Sequence, residues 1–466
     1  MGVLGTMING YSEEVIKNRI LTESVLDKFS KVAEKNNVIE PEFYKKYDVK
    51  RGLRNENGTG VLVGLTEIGN VHGYMTNNGE KVPDEGKLTY RGIDVMDIVD
   101  GFQKDNRFGF EEVCYLLLFG ELPSKAELEE FQGIVAECRT LPDGFTEDMI
   151  LKFPSNNIMN KLQRAILAAY SFDNNPDDTS VKNILKQSIE LIARIPTMIA
   201  YGYQAKAHYH DNQSLFLHAP RPELGTAENI LHMIRPSNEY SKTEAEVLDL
   251  ALVIHAEHGG GNNSAFATHV VSSTGTDTYS AIAAAVGSLK GPKHGGANIK
   301  VIDMINDIKK NVSDWNNQEE IKNYLIKILN KEAFDGSGLI YGMGHAIYTL
   351  SDPRAVLLKA KALDLAKEKG RLEEFNFYRD IENISIQLFK ELRGNNAISA
   401  NVDFYSGFVY DMLNIPCELF TPLFAAARVP GWCSHRIEQV ASEPKIIRPA
   451  YKNVRDVQDY IPLTER

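Results

Sequence analysis

The chain has 466 residues, a formal net charge of −12, and 43% hydrophobic and 24% charged residues. These fractions are typical of a soluble globular protein, and the length predicts a large core divided between two domains. The acidic balance excludes a general nucleic-acid-binding protein, which needs a basic surface, and no apolar run is long enough for a membrane span.

The first periodic signal along the chain is strand-like alternation near GVLVGLTEIGNVHGYM and KLTYRG, which predicts a small sheet. Helical periodicity dominates the rest. A capping box of Ser124 and Glu127 predicts one helix start, and Thr243 with Glu246 predicts another. The predicted fold class is therefore all-α, with a small N-terminal β element and no long linker between closely joined domains.

The stretch VIDMINDI shows the helical pattern most clearly. Its apolar residues recur at the i, i+3, i+4 and i+7 positions of one helix face: Val301, Met304, Ile305 and Ile308. The familiar phosphate-binding motifs are missing, because no GxGxxG follows a strand and GEKVPDEGKL has the wrong spacing for a Walker loop. A nucleotide-binding α/β fold is therefore disfavoured.

The cysteines and the first residues of the chain indicate the cellular compartment of the protein. The cysteines are dispersed and form no Cys-x-x-Cys pair: Cys114, Cys138, Cys417 and Cys433. This spacing predicts reduced thiols in a cytosol-like compartment. The first residues lack the regions of a secretory signal, and Glu13 and Glu14 argue against a mitochondrial leader. We expect a cytoplasmic protein, and we assign no function to residues 1–58.

Three glycine-rich breaks each carry a histidine. In HAEHGGGNNS, His258 ends a predicted helix beside three glycines that expose backbone N–H groups. A zinc site with His255 lacks a nearby third ligand, so a buried structural role for His255 is the simpler interpretation. In GPKHGGAN, His294 precedes a helix, whose N-terminus lowers the pKa of a histidine and keeps it a neutral donor.

The third break is YGMGHAIYTLSDPR. Gly342 and Gly344 permit a tight bend on either side of Met343, and His345 follows directly. Pro353 fixes its own φ, so Arg354 is predicted to open a new helix. On this stretch alone, a turn with a packed histidine and a solvated arginine is the simpler interpretation.

Three charged residues follow at special backbone positions. Asp403 is predicted in the first turn of an amphipathic helix, where an N-terminal acid is also a simple explanation. Arg428 follows an alanine run on a buried helix and needs an anionic partner. Arg448 precedes Pro449 in an extended segment and could be a solvated loop residue.

Taken together, these motifs resemble the citrate synthase family. The resemblance rests on segments that occur in family order over roughly residues 60 to 450: YRGIDV, YLLLFGELP, HAEHGGGNNSAFATH, GPKHGGAN, GMGHAIYTLSDPRA, NVDFYSG, RVPGW and IRPAY. It implies a nearly all-helical, two-domain homodimer. The large domain would comprise 1–293 and 410–466, with a small domain at 294–409 inserted in the chain.

The resemblance also implies an activity, the condensation of acetyl-CoA with oxaloacetate. Asp403 matches the base that removes a proton from the thioester methyl group. His294 matches the histidine that donates a hydrogen bond to the thioester oxygen. His345 matches the histidine that polarises the ketone of oxaloacetate. The remaining substrate contacts implied are His258, Asn262, Arg354, Arg428 and Arg448, of which the arginines clamp carboxylates.

The residues that the resemblance implies for coenzyme A binding match the family pattern less fully than those for oxaloacetate. The implied set is Ser264, Lys290, Lys293, Gly342 and Gly344. Thr349 stands where many relatives have a basic residue near a CoA phosphate, and Gly259 replaces a usual Glu. Tyr341 and Met343 lie in the segment that holds adenine in relatives.

Several assignments remain open at this stage. A 2-methylcitrate synthase would use the same residues, because one extra methylene changes binding by only about 1–3 kcal/mol. A citryl-CoA lyase runs related chemistry in the cleavage direction, and a non-catalytic helical scaffold would keep the fold alone. We expect no cofactor and no metal, since acetyl-CoA is a substrate, and no nucleic-acid or membrane partner.

Overall fold

The computed structural model describes residues 23–466 except 56, 78–79, 395–396 and 443–444. The residues considered for a leader therefore lie outside the described part. Contacts divide the chain into two compact units, one formed by Gly64–Arg448 and the other by Met1–Val63 with Pro449–Arg466. The predicted insertion of 294–409 falls inside the first unit and stays a prediction.

The smaller unit has little regular structure in its described residues. It contains α1 (Glu23–Asn36), α2 (Pro41–Lys46) and the single 3₁₀ turns Arg51–Leu53 and Leu463–Glu465. Neither helix has a buried residue.

The larger unit is helical, as predicted. Its described residues form sixteen α-helices: α3 (Val95–Lys104), α4 (Phe110–Phe119), α5 (Lys125–Cys138), α6 (Ile158–Ala169), α7 (Val181–Asp211), α8 (Thr226–Ile234), α9 (Lys242–His255), α10 (Asn263–Ser272), α11 (Thr278–Lys290), α12 (Pro292–Gly295), α13 (Ala297–Asn311), α14 (Gln318–Leu329), α15 (Pro353–Glu368), α16 (Leu372–Arg393), α17 (Val402–Met412) and α18 (Phe420–Ser442). Shorter turns are Phe145–Leu151, Tyr170–Phe172 and Cys417–Leu419. No helix among the described residues combines the length and the hydropathy that crossing a bilayer requires.

The predicted small sheet is present. Strand β1 (Gly69–Asn77) pairs antiparallel with β2 (Glu80–Tyr90), whose end pairs with β3 (Ile93–Asp94). The apolar alternation before Gly69 forms no strand; Leu62 and Leu65 in that stretch are 86% and 90% exposed. The sheet is therefore shorter than the alternating pattern.

One predicted helix start is confirmed and one is wrong. Ser124 and Glu127 form the expected capping box of α5. Helix α9 is capped by Ser241 with Glu244, two residues before the predicted pair. The helix starts at Ser241 because the Glu244 carboxylate is held in the interior. This carboxylate accepts the N–H of Ser241 and forms ion pairs with Arg235 and Lys369.

The long helix α18 is the centre of the larger unit. It packs against α4, α7, α9, α10 and α11, and most of its side chains are buried. A Cβ atom on Gly431 would lie 2.5 Å from the carbonyl oxygen of Ala256, so only glycine lets the helix approach the segment after α9 this closely. This contact places α18 beside the first glycine-rich break. The predicted apolar face of α13 is also buried: Val301, Met304, Ile305 and Ile308.

Candidate active site

The three glycine-rich breaks meet at one cavity of about 130 Å³. Seven of the predicted site residues line it: His258, Asn262, His294, His345, Arg354, Asp403 and Arg428. Sequence reasoning did not single out the other six lining residues, which are Leu289, Gly295, Ala297, Asn298, Val402 and Phe424. Asn298 lines the cavity, and its side-chain oxygen is buried without a hydrogen-bond partner among the described residues.

The bend before His345 is held by backbone pairing with the start of α17. Gly342 and Gly344 have φ of 81° and 84°, which glycine adopts without strain. Asn401 donates its N–H to the Gly342 carbonyl and its side-chain amide to the Gly344 carbonyl, both at 2.8 Å. A Cβ atom on Gly342 would lie 2.9 Å from the Phe404 ring. Both conformation and packing therefore require glycine at position 342.

The hydrogen bonds of His345 define which of its nitrogens carries the proton. Its Nδ1 accepts the N–H groups of Ile347 and Tyr348, at 3.1 and 3.2 Å. A nitrogen that accepts two N–H groups has no proton of its own, so the neutral ring is protonated at Nε2. His345 can therefore donate a hydrogen bond from Nε2.

Sequence reasoning missed the residue that connects the arginine to this bend. Asp352 holds Arg354 in a two-pronged ion pair, with Nε to Oδ1 at 3.0 Å and Nη2 to Oδ2 at 2.8 Å. The same carboxylate caps α15 by accepting the Arg354 N–H at 3.0 Å, and it accepts the Val402 N–H at 3.3 Å. The available signal was an Asp directly before a Pro at a helix start, the typical N-cap position.

Asp403 lies in the first turn of α17, as predicted. Asn401 caps this helix by accepting the Asp403 N–H at 3.0 Å. Burial raises the pKa of the Asp403 carboxyl to about 6, although the nearby Arg354 guanidinium acts in the opposite direction. A carboxyl with this pKa is ionised near neutral pH and can accept a proton readily.

Arg428 is a buried cation that forms no ion pair within 4.0 Å of a carboxylate among the described residues. Its side chain is 2% exposed, and its Nε donates to the His255 carbonyl oxygen. Its Nη2 is buried with no hydrogen-bond partner among the described residues. Burial lowers the pKa of Arg428 to about 10, so the group is still charged near neutral pH. A charged, unpartnered nitrogen that lines a cavity requires an anion there.

His258 lies three residues beyond α9 and not at the helix end itself, because Gly259 turns the chain with φ of 82°. Burial lowers the pKa of His258 well below its usual value, and the charge of Arg354 lowers it further. The ring is therefore neutral. It lies edge-on to the His345 ring, with 5.2 Å between their centres.

His294 lies in the short helix α12, and its Nε2 is 3.0 Å from the hydroxyl of Ser264. Burial lowers the pKa of His294 to about 4, and the positive charge of Arg428 adds to this effect. Ser264 is fully buried behind the histidine and does not line the cavity. Its contact with His294 connects it to the site indirectly.

The structure does not bring the other predicted residues to the cavity wall. Arg448 is exposed, in a segment without helix or strand. Lys290 and Lys293 are exposed on either side of the break between α11 and α12. Gly342 and Gly344 shape the bend through their backbone. Their assigned roles remain predictions.

Thr349 has a different partner from a CoA phosphate. Its hydroxyl donates to the carbonyl oxygen of Gly73 and accepts the N–H of Asp84 at 3.2 Å, so it binds the β1–β2 hairpin. In the same region the Tyr341 hydroxyl donates to the Asp335 carboxylate at 2.7 Å. Both side chains are therefore engaged within the chain.

The comparison with known proteins decides the family. A family model described as "Citrate synthase, C-terminal domain" matches residues 57–450. The chain belongs to the citrate synthase family. A protein named citrate synthase from Synechocystis sp. is 37% identical over 385 residues, covering 82% of this chain and 89% of that protein. A 2-methylcitrate synthase from Corynebacterium glutamicum is 31% identical, covering 90% of this chain and 98% of that protein.

A solved citrate synthase also has the same fold. The citrate synthase of Thermoplasma acidophilum, in a ternary complex with carboxymethyl coenzyme A and oxaloacetate, matches with a TM-score of 0.71 and 26% identity. The match covers 89% of this chain and 99% of that one. The predicted family and the predicted all-α class are confirmed, and the chain is an enzyme of the citrate synthase type. The role of each residue remains to be tested.

The Asp352–Arg354 pair generates a stability prediction. Asp352→Asn keeps an N-cap but leaves a buried guanidinium without its counter-ion, so we expect a loss of about 3–5 kcal/mol in the free energy of unfolding. Asp94→Asn is the matched control, because Asp94 caps α3 in the same way and has no arginine partner in the described ion pairs. Urea unfolding measures both, and equal small losses in the two variants would contradict the assigned importance of the ion pair.

Proposed function

We propose that the protein condenses acetyl-CoA with oxaloacetate and hydrolyses the resulting citryl-CoA to citrate and CoA, the first step of the tricarboxylic acid cycle. The observation that carries this proposal is the pairing of cations and a base in one cavity. Two buried guanidinium groups, Arg354 and Arg428, face the same space as the carboxyl of Asp403. A small dicarboxylate that reacts beside a base fits these charges.

Oxaloacetate would bind through the unused parts of the two guanidinium groups. Asp352 occupies Nε and Nη2 of Arg354, which leaves Nη1 for a substrate carboxylate. Arg428 would offer its buried Nη2 to the other carboxylate. The ketone oxygen would then accept the Nε2 proton of His345, and His258 and Asn262 would complete the contacts.

Acetyl-CoA would be activated by the opposite wall. For this step the Ser264 hydroxyl, which lies 3.0 Å from Nε2 of His294 and 3.3 Å from the Ser288 hydroxyl, would donate to the histidine, which would place the ring proton on Nδ1 and direct it to the thioester oxygen. Asp403 removes a proton from the methyl group as the enolate forms, and the neutral donor stabilises the developing charge. The methyl carbon then bonds to the ketone carbon, whose oxygen takes the Nε2 proton of His345. The proton held by Asp403 returns to His345 through solvent, so that both groups regain their starting states. Water finally breaks the thioester bond and releases CoA.

The remaining parts of the proposal concern context. The described cysteines are free, which supports a reducing, cytoplasmic location. The chemistry needs no cofactor or metal ion, because a carboxylate and neutral imidazoles supply the proton transfers. The acyl pocket is proposed to prefer acetyl over propionyl groups. Propionyl-CoA is the competing substrate to test, because some relatives are named 2-methylcitrate synthase.

Steady-state rates test this assignment. With oxaloacetate in excess, we expect turnover with acetyl-CoA, and a kcat/KM for propionyl-CoA lower by about 10- to 200-fold, the range that one methylene supports. CoA release measures both reactions. A preference for propionyl-CoA would assign a 2-methylcitrate synthase, and no turnover with either thioester in a folded sample would favour the scaffold interpretation.

Asp403→Asn tests the base directly. We expect kcat to fall by about 10²- to 10⁴-fold with the fold retained. In the wild type, kcat/KM should rise with pH through about 6 and then level off, because Asp403 must be ionised to accept the proton. Asp411→Asn is the control, since Asp411 lies in the same helix and binds Arg371 on the surface. A folded Asp403→Asn variant with the wild-type rate would remove Asp403 from the mechanism.

We also propose that the enzyme is a homodimer whose active sites contain Arg448 of the neighbouring subunit. Support comes from the exposed position of Arg448 and from the apolar side chains that follow it. Tyr451, Val457, Tyr460 and Leu463 are 94%, 100%, 80% and 74% exposed in the single chain. Large apolar side chains in such numbers typically mark a protein–protein contact. An extended segment of this kind can reach across a dimer interface.

Mixing two inactive variants tests the shared site. Arg448→Ala and His345→Ala should each be inactive, and their heterodimer should carry one intact site and one doubly defective site. Activity should therefore return after dissociation and reassembly. The control pairs Arg428→Ala with His345→Ala, whose heterodimer has no intact site because both residues serve their own chain. Failure of the first pair to recover, or full activity of a monomer, would contradict the proposal.

A further inference from the structure

A buried network of polar side chains lies directly behind the cavity and has no role in the chemistry described above. Glu257 and His435 are both 0% exposed, and Nε2 of His435 is 2.9 Å from Oε1 of Glu257. Nδ1 of His435 is 3.2 Å from Nε2 of His269. Nδ1 of His269 is in turn 2.8 Å from the side-chain oxygen of Gln439.

The chain of acceptors determines where the protons lie. The Gln439 amide is assigned with its oxygen toward His269. In this orientation Nδ1 of His269 is the donor, and a neutral His269 has its lone pair on Nε2. The lone pair on Nε2 of His269 accepts a hydrogen bond from the N–H at Nδ1 of His435. At the same time, the N–H at Nε2 of His435 donates to the Glu257 carboxylate. His435 therefore holds two protons and is a buried imidazolium ion.

This ion pair acts on the segment that carries His258. Besides His435, Oε1 of Glu257 accepts the N–H of Gly259 at 2.5 Å, and the Gly259 carbonyl accepts the N–H of Asn262 at 3.1 Å. Glu257 thus fixes the turn between two residues of the cavity wall. Because His435 is anchored on α18, the turn is tied to the central helix of the unit.

The same helix face holds the segment at a second point. Arg428 and His435 are seven residues apart, two turns of α18, and Arg428 donates to the carbonyl of His255. Gly431 lies between them, where a Cβ atom would lie 2.5 Å from Oε2 of Glu257. Arg428 and His435 therefore bind the chain on both sides of Ala256, at His255 and at Glu257.

The charges around His435 explain why a cation is needed at this position. It faces Glu257, the Glu438 carboxylate with Oε2 at 3.8 Å, and neutral His269; Arg428 and Arg91 interact with the same carboxylates from further away. Glu257 raises the pKa of His435 to about 9 against the effect of burial. With this carboxylate neutralised by His435, Arg428 keeps its Nη2 for the cavity.

We propose that His435 is a positioning residue of the oxaloacetate site, a protonated imidazole whose ion pair with Glu257 holds the His258 turn and keeps Arg428 available to the substrate. This inference rests on the proposed function. It assigns to His435 an effect on substrate binding and not on the chemical step, because no atom of His435 lines the cavity.

One competing interpretation uses the same atoms. Nε2 of His269, Nδ1 of His435 and a Glu438 oxygen lie within 4.8 Å of one another and could hold a metal ion. Both outer ring nitrogens are hydrogen-bonded to oxygen, as in many metal sites. We favour the shared proton because 3.2 Å between the two nitrogens is a hydrogen-bond distance and the proton count is complete without a metal.

The test compares His435→Gln with His232→Gln. His232 is a matched control because it is buried, has a lowered pKa and is bound to the Ala219 carbonyl away from the cavity. For His435→Gln we expect the KM for oxaloacetate to rise at least about tenfold and kcat to change much less, since an unpaired Glu257 draws Arg428 away. Glu257→Gln combined with His435→Gln should recover part of the loss, because it removes the unpaired carboxylate.

The pH dependence separates positioning from a purely structural role. In the folded protein the ion pair is present while the pH lies well below 9 and is lost as the pH rises through about 9. Its contribution to stability is complete only below the ordinary histidine pKa of 6.5. The wild-type KM for oxaloacetate should therefore begin to rise near pH 9, and His435→Gln should lack this step and show only the later rise near pH 10, where Arg428 loses its charge. In histidine-labelled wild-type protein, the ring signal that His435→Gln removes should titrate near pH 9.

Each other outcome overturns the proposal. A His435→Gln variant with the KM of the wild type, or a His435 signal that titrates below pH 7, excludes the positioning imidazolium. One equivalent of a transition metal in the purified protein, with the KM rising after chelation, assigns the metal site instead. If wild-type protein neither binds oxaloacetate nor turns over, the proposed function fails, while the histidine titration still decides the ion pair.

Discussion

The buried ion pair between Asp352 and Arg354 is the interaction on which the cavity depends. Two charges taken from water are costly unless every oxygen and nitrogen finds a partner, and here the carboxylate accepts from the guanidinium and from two backbone N–H groups. One side chain thereby begins α15, orients the arginine and holds the first residue of α17. The positions of Arg354 and Asp403 are consequently set by the same carboxylate.

The cations of the cavity also set the proton states of its histidines. His258 and His294 are buried near guanidinium groups, and both effects lower their pKa values and keep the rings neutral. A neutral imidazole with one nitrogen already engaged has a single remaining donor or acceptor. The arrangement that attracts an anion thus also prepares uncharged hydrogen-bond donors, within a protein whose net charge is −12.

Sequence reasoning found residues whose signal is local and missed those whose partner is distant. The glycine-flanked histidines and the arginine on the alanine-rich helix stood at unusual backbone positions, and seven such residues do line one cavity. Asp352 and His435 were not singled out from the sequence. Their importance depends on Arg354, Val402 and Glu257, and only the folded chain shows those contacts.

The two predicted helix starts also differ in whether their contacts are local or distant. The capping box at Ser124 is exposed and depends only on its own four residues, so its sequence pattern was sufficient. The start of α9 depends on Arg235 and Lys369, which bind Glu244 from outside the helix. The predicted pair two residues later had the right pattern, but tertiary ion pairs selected the other one.

Thr349 links the segment after His345 to the β1–β2 hairpin. Its hydroxyl binds Gly73 and Asp84 of the β1–β2 hairpin, and the Ser351 hydroxyl next to it binds Glu85 at 2.6 Å. A long basic side chain introduced at 349 would break the hairpin anchor before it gained a phosphate. A basic residue at position 349 would therefore require a compensating change in β1 or β2, because the hairpin there depends on a short hydroxyl.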